Sequence, residues 1–237
     1  MDKKAFFLIF ENKGYRILYA NFKEDNTNKE SEKERNIEFE YNEYISYSMN
    51  KIDMEDKSKD LAYEITEKIR NAESKLKCDC KKITVVAQDS NLIIKEIDIL
   101  KDYKKKDIEN IIEIEMEEFL NLNPEYYIKN YEKIDSEEDF LKVRVVLFPR
   151  FYVDIVEKIE KLKGCRCDGI YMNYQITQSI LLGSINNFDR IFAAIEFREE
   201  DYILSVIENN RVKNSMVIDN KNVDESLIDY LNDGGKV

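Results

Sequence analysis

The chain contains no histidine, and that absence removes a large part of enzyme chemistry. Without an imidazole, neither a Ser–His nor a Cys–His nucleophile pair can be assembled. The Glu-x-x-His element of di-iron bundles and the histidine-based zinc protease motifs are excluded on the same ground. Glycine is scarce as well, with six in 237 residues. None falls in a G-x-G-x-x-G or G-x-x-x-x-G-K pattern, which lets backbone amides close around a phosphate. No apolar run is long enough for a bilayer span, and "MDKKAFFLIF" is too short an apolar stretch for a signal peptide. Only two prolines occur, and 36% of the residues are charged, so the chain reads as a soluble cytoplasmic protein. A membrane-bound partner is compatible with that reading, although direct insertion is not.

What the sequence has in quantity is acid. The net charge is −12, spread along the chain rather than held in a tail. Nucleic-acid binding, which works by neutralising phosphates, is therefore not expected. The length suits one large domain or two lobes and allows a sizeable core.

Hydrophobic periodicity predicts alternating strands and helices. Apolar segments at 5–10 and 15–22 flank "ENKG", a hairpin signal because Asn and Gly tolerate positive φ. The charged "KEDNTNKESEKERN" reads as a solvated loop, and "IEFEYNEYISYSM" as a strand. Leu61, Ile65, Ile69 and Leu76 predict a helix over 56–76, followed by strands in "KITVVAQ" and "NLIIKEIDIL". A helix is predicted over 105–120, then strands at 126–134 and 142–148. "FYVDIVEKIEKLKG" is an amphipathic helix stopped by its glycine. A strand near 168–172 and a helix over 174–184 follow. Strands at 190–197, 201–207 and 211–218, a tight turn at Asn209–Asn210 and a helix over 223–232 complete the reading. The mixture of hairpins and strand–helix alternation indicates an α/β or α+β architecture.

The stretch "DIENIIEIEMEEFLNLNPEYYIKNY" is dense in carboxylates. On a helical wheel Ile108, Ile111, Ile112, Met116, Phe119 and Leu120 share one face, with Glu109, Glu113, Glu117 and Glu118 at its sides or back. Glu115 falls near the middle of the apolar stripe. A carboxylate there must be paired, hydrogen-bonded or neutral. The ordinary role is structural, bonded to a backbone donor, a lysine or an arginine. A catalytic role would need a second acid or a histidine, and the sequence places neither with it.

The same stretch resembles the PilM family of type IV pilus assembly proteins, whose members carry a pattern like "eLeeaIrwEaeqyIPf…Dy", with Glu115 at its recurring glutamate. "ITVVAQDSNLIIKEIDIL" is similar to the family's "vvtalPgsaVivRtielP", with Lys95 where an arginine is usual, and "VRVVLFPRFYVDIVEKIEKLKGCRCDGI" to "vlvaApkevVdsyvevleaAGLkpvai". The resemblance covers about residues 80–172. It implies an α/β fold of actin-like (ribonuclease H-like) lobes, with an inserted α+β subdomain in the first lobe and an incomplete second lobe. Residues 1–189 would form the first lobe, about 83–163 the insert and 190–237 the start of the second. It further implies a cytoplasmic scaffold, peripheral at the inner membrane, that binds the cytoplasmic tail of a PilN-like membrane protein and contacts other pilus platform and motor components. Two alternatives are carried: a nucleotide-binding actin-like ATPase or switch, and the related cytoplasmic component of type II secretion. Self-assembly is left open.

Departures from the pattern bear on catalysis. Actin-like proteins hold phosphates on two D-x-G hairpins, the glycine admitting backbone amides and the aspartate positioning metal and water. In "FFLIFENKGYRI" neither residue stands at the strand end, and in "AAIEFREEDYILSVI" Glu196 and Arg198 take the two places. Asn173 or Tyr171 stands where an acidic residue is expected before the 174–184 helix. The expectation is a non-enzyme with no catalytic residues, no nucleotide, no metal and no cofactor.

Cys78, Cys80, Cys165 and Cys167 form two Cys-x-Cys pairs, each between a helix and a strand, at the expected chain crossings into and out of the insert. If those crossings are adjacent, four thiolates could approach one zinc ion, although zinc knuckles space their ligands more widely. Free reduced thiols are the ordinary state in a cytoplasmic protein.

Overall fold

The structure, a computed structural model, describes residues 3–11, 13–24, 35–47, 54–88, 92–119, 122–136, 139–184, 191–198, 201–208 and 211–219. The turn expected at 209–210 and the helix expected over 223–232 lie outside the described residues. In chain order the elements are β1 (Lys3–Glu11), β2 (Gly14–Glu24), β3 (Arg35–Ser46), α1 (Met54–Leu76), β4 (Lys82–Gln88) and β5 (Ile93–Leu100). Then come α2 (Lys105–Ile114), β6 (Tyr127–Ser136), β7 (Phe140–Pro149), α3 (Arg150–Lys163) and β8 (Arg166–Met172). α4 (Asn173–Ser184), β9 (Phe192–Phe197), β10 (Asp201–Glu208) and β11 (Arg211–Asp219) follow. The chain forms two units, Met1–Gln88 with Phe151–Asn173, and Asp89–Arg150 with Tyr174–Val237.

The first unit is a five-stranded sheet in the order β3-β2-β1-β4-β8. Alternation in β1 sends Phe6, Leu8 and Phe10 to one face, where all three are buried. Both helices lie on that face. Phe10 meets Tyr152 of α3 at 4.6 Å between ring centroids, and its register partner Tyr15 donates its hydroxyl proton to Glu64 of α1 at 2.9 Å. α1 and α3 are also tied directly, Lys158 Nζ donating to Ser58 Oγ at 2.5 Å. β4 and β8 run parallel to β1, each preceded by a helix that returns the chain to the start of the sheet. α3 stops at Gly164, whose φ of 73° lets its N–H donate to Glu160 O at 2.9 Å.

In the second unit β5, β7 and β6 form an antiparallel sheet with β7 in the centre. Val143, Val145 and Leu147 of β7 pack with Ile97, Ile99, Ile108, Ile112 and Met116 in one buried cluster, which places α2 across this face. The predicted helix over 105–120 is not regular throughout. It passes at Glu115 into a π-helical turn, Glu115–Phe119. Met116 stays on the buried face at 1% exposure, while the Glu115 side chain is 26% exposed, at the rim of the stripe. β11-β10-β9 form a third sheet, a meander with the same order of pairing as β3-β2-β1.

Candidate functional site

The β1–β2 hairpin is the first place where a phosphate loop is expected. Glu11, buried to 9% exposure, stands opposite Gly14 and accepts from Arg16 Nε at 3.0 Å. Gly14 serves the sheet: a Cβ there would lie 2.4 Å from Ile45 O and 2.7 Å from Tyr44 Oη. The missing side chain therefore admits β3.

The β9–β10 hairpin has a comparable internal pairing. Arg198 donates from its backbone N–H to Asp201 O at 3.0 Å and from Nε to Asp201 Oδ1 at 2.5 Å, with both side chains almost fully buried. Asp201 was not singled out in the sequence, although an Arg and an Asp three apart across a predicted hairpin are a readable signal. Glu196 lies opposite Ile203. Asn173 is the buried first residue of α4, and Tyr171 is exposed. At each hairpin an arginine is paired with a carboxylate of the same hairpin.

The basic partner of Glu115 is Lys95 of β5, whose Nζ donates to Oε2 at 2.8 Å. Glu113, two residues earlier, accepts from Lys129 of β6. The two glutamates thus fasten the α2 segment to both outer strands of its sheet. Glu109 pairs with Lys105 at 3.7 Å, and Glu117 and Glu118 are exposed. An open cleft nearby is lined by Glu113, Glu117 and Glu125, but one of those carboxylates is already held by Lys129.

A second ionic row lies on the same sheet and escaped the sequence reading. Arg144 of β7, at 3% exposure, sits between Glu96 of β5 and Glu132 of β6, donating to them at 3.4 Å and 3.1 Å. Its Nε has no hydrogen-bond partner among the described residues. The row exists because the strand register aligns Glu96, Arg144 and Glu132, and register is set by tertiary pairing.

The cysteines lie at the starts of β4 and β8, the opposite ends of β4 and α3 from the passages after Gln88 and before Phe151. The four thiols do not converge. Cys167 Sγ donates to Gly169 O at 3.3 Å, and Cys80 Sγ donates to Lys82 O at 3.5 Å. Among the described residues no group of three or more histidine, cysteine or acidic side chains is placed to hold a metal ion. Among the described residues, no helix is long and apolar enough to cross a membrane.

No protein-family model matches the chain, and no curated protein does. Solved structures do. The chain is similar to a chain of the PilM–PilN type IV pilus biogenesis complex, with a TM-score of 0.58 at 13% identity, covering 96% of this chain and 66% of that one. It is similar to the cytoplasmic domain of EpsL, an inner membrane component of the type II secretion system of Vibrio cholerae, with a TM-score of 0.52 at 11% identity over 95% of this chain and 74% of that one. A Bacteroides thetaiotaomicron protein with an actin-like ATPase fold matches with a TM-score of 0.50 at 9% identity, over 98% and 78% of the two chains. The fold is actin-like.

Proposed function

We propose that this chain is a non-catalytic cytoplasmic scaffold of type IV pilus assembly that binds the cytoplasmic tail of a PilN-like inner-membrane protein. One observation carries the reading. The two hairpins that would hold phosphates in an actin-like nucleotide site instead carry the ion pairs Glu11–Arg16 and Arg198–Asp201. Neither hairpin has the aspartate and glycine of a D-x-G phosphate loop, and the arginine at each is paired with a carboxylate, which supports a role other than nucleotide turnover. The likeness to the PilM–PilN complex supports the pilus assignment, and the likeness to EpsL supports the related role in type II secretion as the second reading.

Thermal melting with the two ligands tests the proposal. A ligand that binds only the folded state at a hundred times its Kd stabilises by about 2.7 kcal/mol. The amino-terminal cytoplasmic peptide of a PilN-type protein raises the melting temperature on this reading, and Mg–ATP leaves it unchanged. The reverse pattern would establish a nucleotide switch.

A further inference from the structure

β9 is the outermost strand of the β11-β10-β9 meander, and its sequence does little to guard that edge. An outer strand edge invites pairing with another strand, and proteins protect such edges with charge or proline. β3 carries Glu38, Glu40 and Glu43, and β6 carries Lys129, Glu132 and Lys133. β9 reads "FAAIEF", with no proline and a single charge, the fewest of any outermost strand described.

What β9 presents instead is apolar. Residues 191, 193, 195 and 197 alternate onto one face. Ile191 is 65% exposed, Ile195 44% and Phe197 75%. The neighbouring strand is closed on both faces, with Ile203, Leu204, Ser205, Val206 and Ile207 of β10 all buried. Register sets Ile195 beside Leu204 and Ala193 beside Val206, and Phe197 meets Tyr202 edge-on at 5.1 Å between ring centroids. The apolar row is therefore covered at β10 and uncovered one strand further out. In the first unit the corresponding edge, that of β1, is occupied by β4.

We propose that this edge is an interface between two copies of the chain, joined by antiparallel pairing of β9 with β9. Charge favours a second copy as the occupant. The chain carries −12, so copies repel wherever acids meet, and β9 offers a strip with one acid. A two-fold axis centred on Ala194 sets Ile191 opposite Phe197 of the second copy, and Ala193 opposite Ile195 of the second copy. Glu196 then falls opposite Phe192 of the second copy. The two Glu196 positions stand four residues apart along the strands, about 13 Å. That exceeds the screening length of about 8 Å at physiological salt. The exposed apolar rows join on one face, and β9 gains a strand on each side, as β10 already has. Each copy has one such edge, so the association closes at two.

Sedimentation velocity of the full chain over a concentration series, with hydrogen exchange at both ends of the series, tests this. The expected result is a monomer–dimer equilibrium in which amides of residues 192–197 exchange more slowly in the dimer and those of β3 do not change. Ile195→Lys and Phe197→Lys each weaken the dimer by about tenfold or more, because a two-fold contact loses two apolar residues per substitution. Phe39→Lys on the β3 edge, where the ring is 60% exposed, leaves the dimer intact. Melting temperatures matching the parent chain at high dilution identify the variants as folded, and the exchange reading needs no variant. A chain monomeric at every concentration overturns the proposal and assigns the edge to a different strand. Larger assemblies, a dimer indifferent to both β9 variants, or β9 protection independent of concentration overturn it equally.

Discussion

Lys95 Nζ lies 2.8 Å from Glu115 Oε2, joining an outer strand to the first residue of the π-helical turn. Both side chains are about a quarter exposed, at 28% and 26%. Water therefore screens much of the attraction, and the pair contributes about 0–1 kcal/mol. Met116, next in the chain and buried at 1%, contributes by packing instead. Glu115→Gln should lower urea-unfolding stability by no more than about 1 kcal/mol, whereas Met116→Ala should cost about 2–5 kcal/mol. A larger loss for Glu115→Gln than for Met116→Ala would mean that charge, not packing, seats this segment.

The Arg198–Asp201 pair has the opposite balance because both side chains are almost fully buried. Removing one partner leaves the other charge desolvated. Asp201→Ala should destabilise by about 3–5 kcal/mol in denaturant unfolding. A double-mutant cycle with Arg198→Ala should show strong coupling; additive losses would mean that the hairpin is held by its backbone alone.

Arg144 gives a test of buried charge within a sheet. Arg144→Leu leaves Glu96, whose side chain is 17% exposed, without its cation and should cost about 3–5 kcal/mol. Adding Glu96→Leu should restore a large part of that loss, because a well-packed apolar pair replaces an uncompensated carboxylate. Equal stability of the single and double variants would count against the row as a stabilising unit.

The pH dependence has two arms. Burial and the hydrogen bond to Glu43 raise the Tyr41 phenol from 10.0 to about 12, and burial pushes Tyr15 up as well. The folded state then holds a proton that the unfolded chain releases. This stability is fully present below pH 10.0 and is lost as pH rises toward about 12. In the acid direction the Lys68 hydrogen bond, followed by that of Tyr41, lowers the Glu43 pKa. Its contribution is present above the ordinary carboxylate range and is lost as pH falls through the depressed value. Melting temperature against pH should decline at both ends, and Tyr41→Phe should flatten the alkaline decline. An unchanged alkaline slope would contradict the Tyr41 assignment.

Local chemistry made most of the framework readable. The alternation of Phe6, Leu8 and Phe10, a turn closing on Gly14 and a helix stopped at Gly164 are signals carried within a few residues. The π-helical turn was not readable, because the periodicity of 105–120 continues through it, and the Lys95–Glu115 pair joins residues twenty apart. The Arg144 row was hidden for a related reason. A bulge past Lys133 shifts the β6 register, and only the register decides which acid faces Arg144. Four cysteines could suggest convergence in sequence, yet among the described residues no three metal-binding side chains come together, and Cys80 and Cys167 bond backbone carbonyls of their own strands. At the hairpins the missing D-x-G was legible, and the i, i+3 spacing of Arg198 and Asp201 was a local signal, whereas the burial of their pair was not.

Isothermal titration calorimetry of the chain with the amino-terminal cytoplasmic peptide of a PilN-type protein, repeated with Mg–ATP present, tests the central claim most directly. The account predicts saturable binding at one site, the same heat and affinity with and without nucleotide, and no phosphate release. Absence of binding heat at high peptide concentration, or peptide binding that appears only with ATP and is accompanied by its hydrolysis, would contradict it.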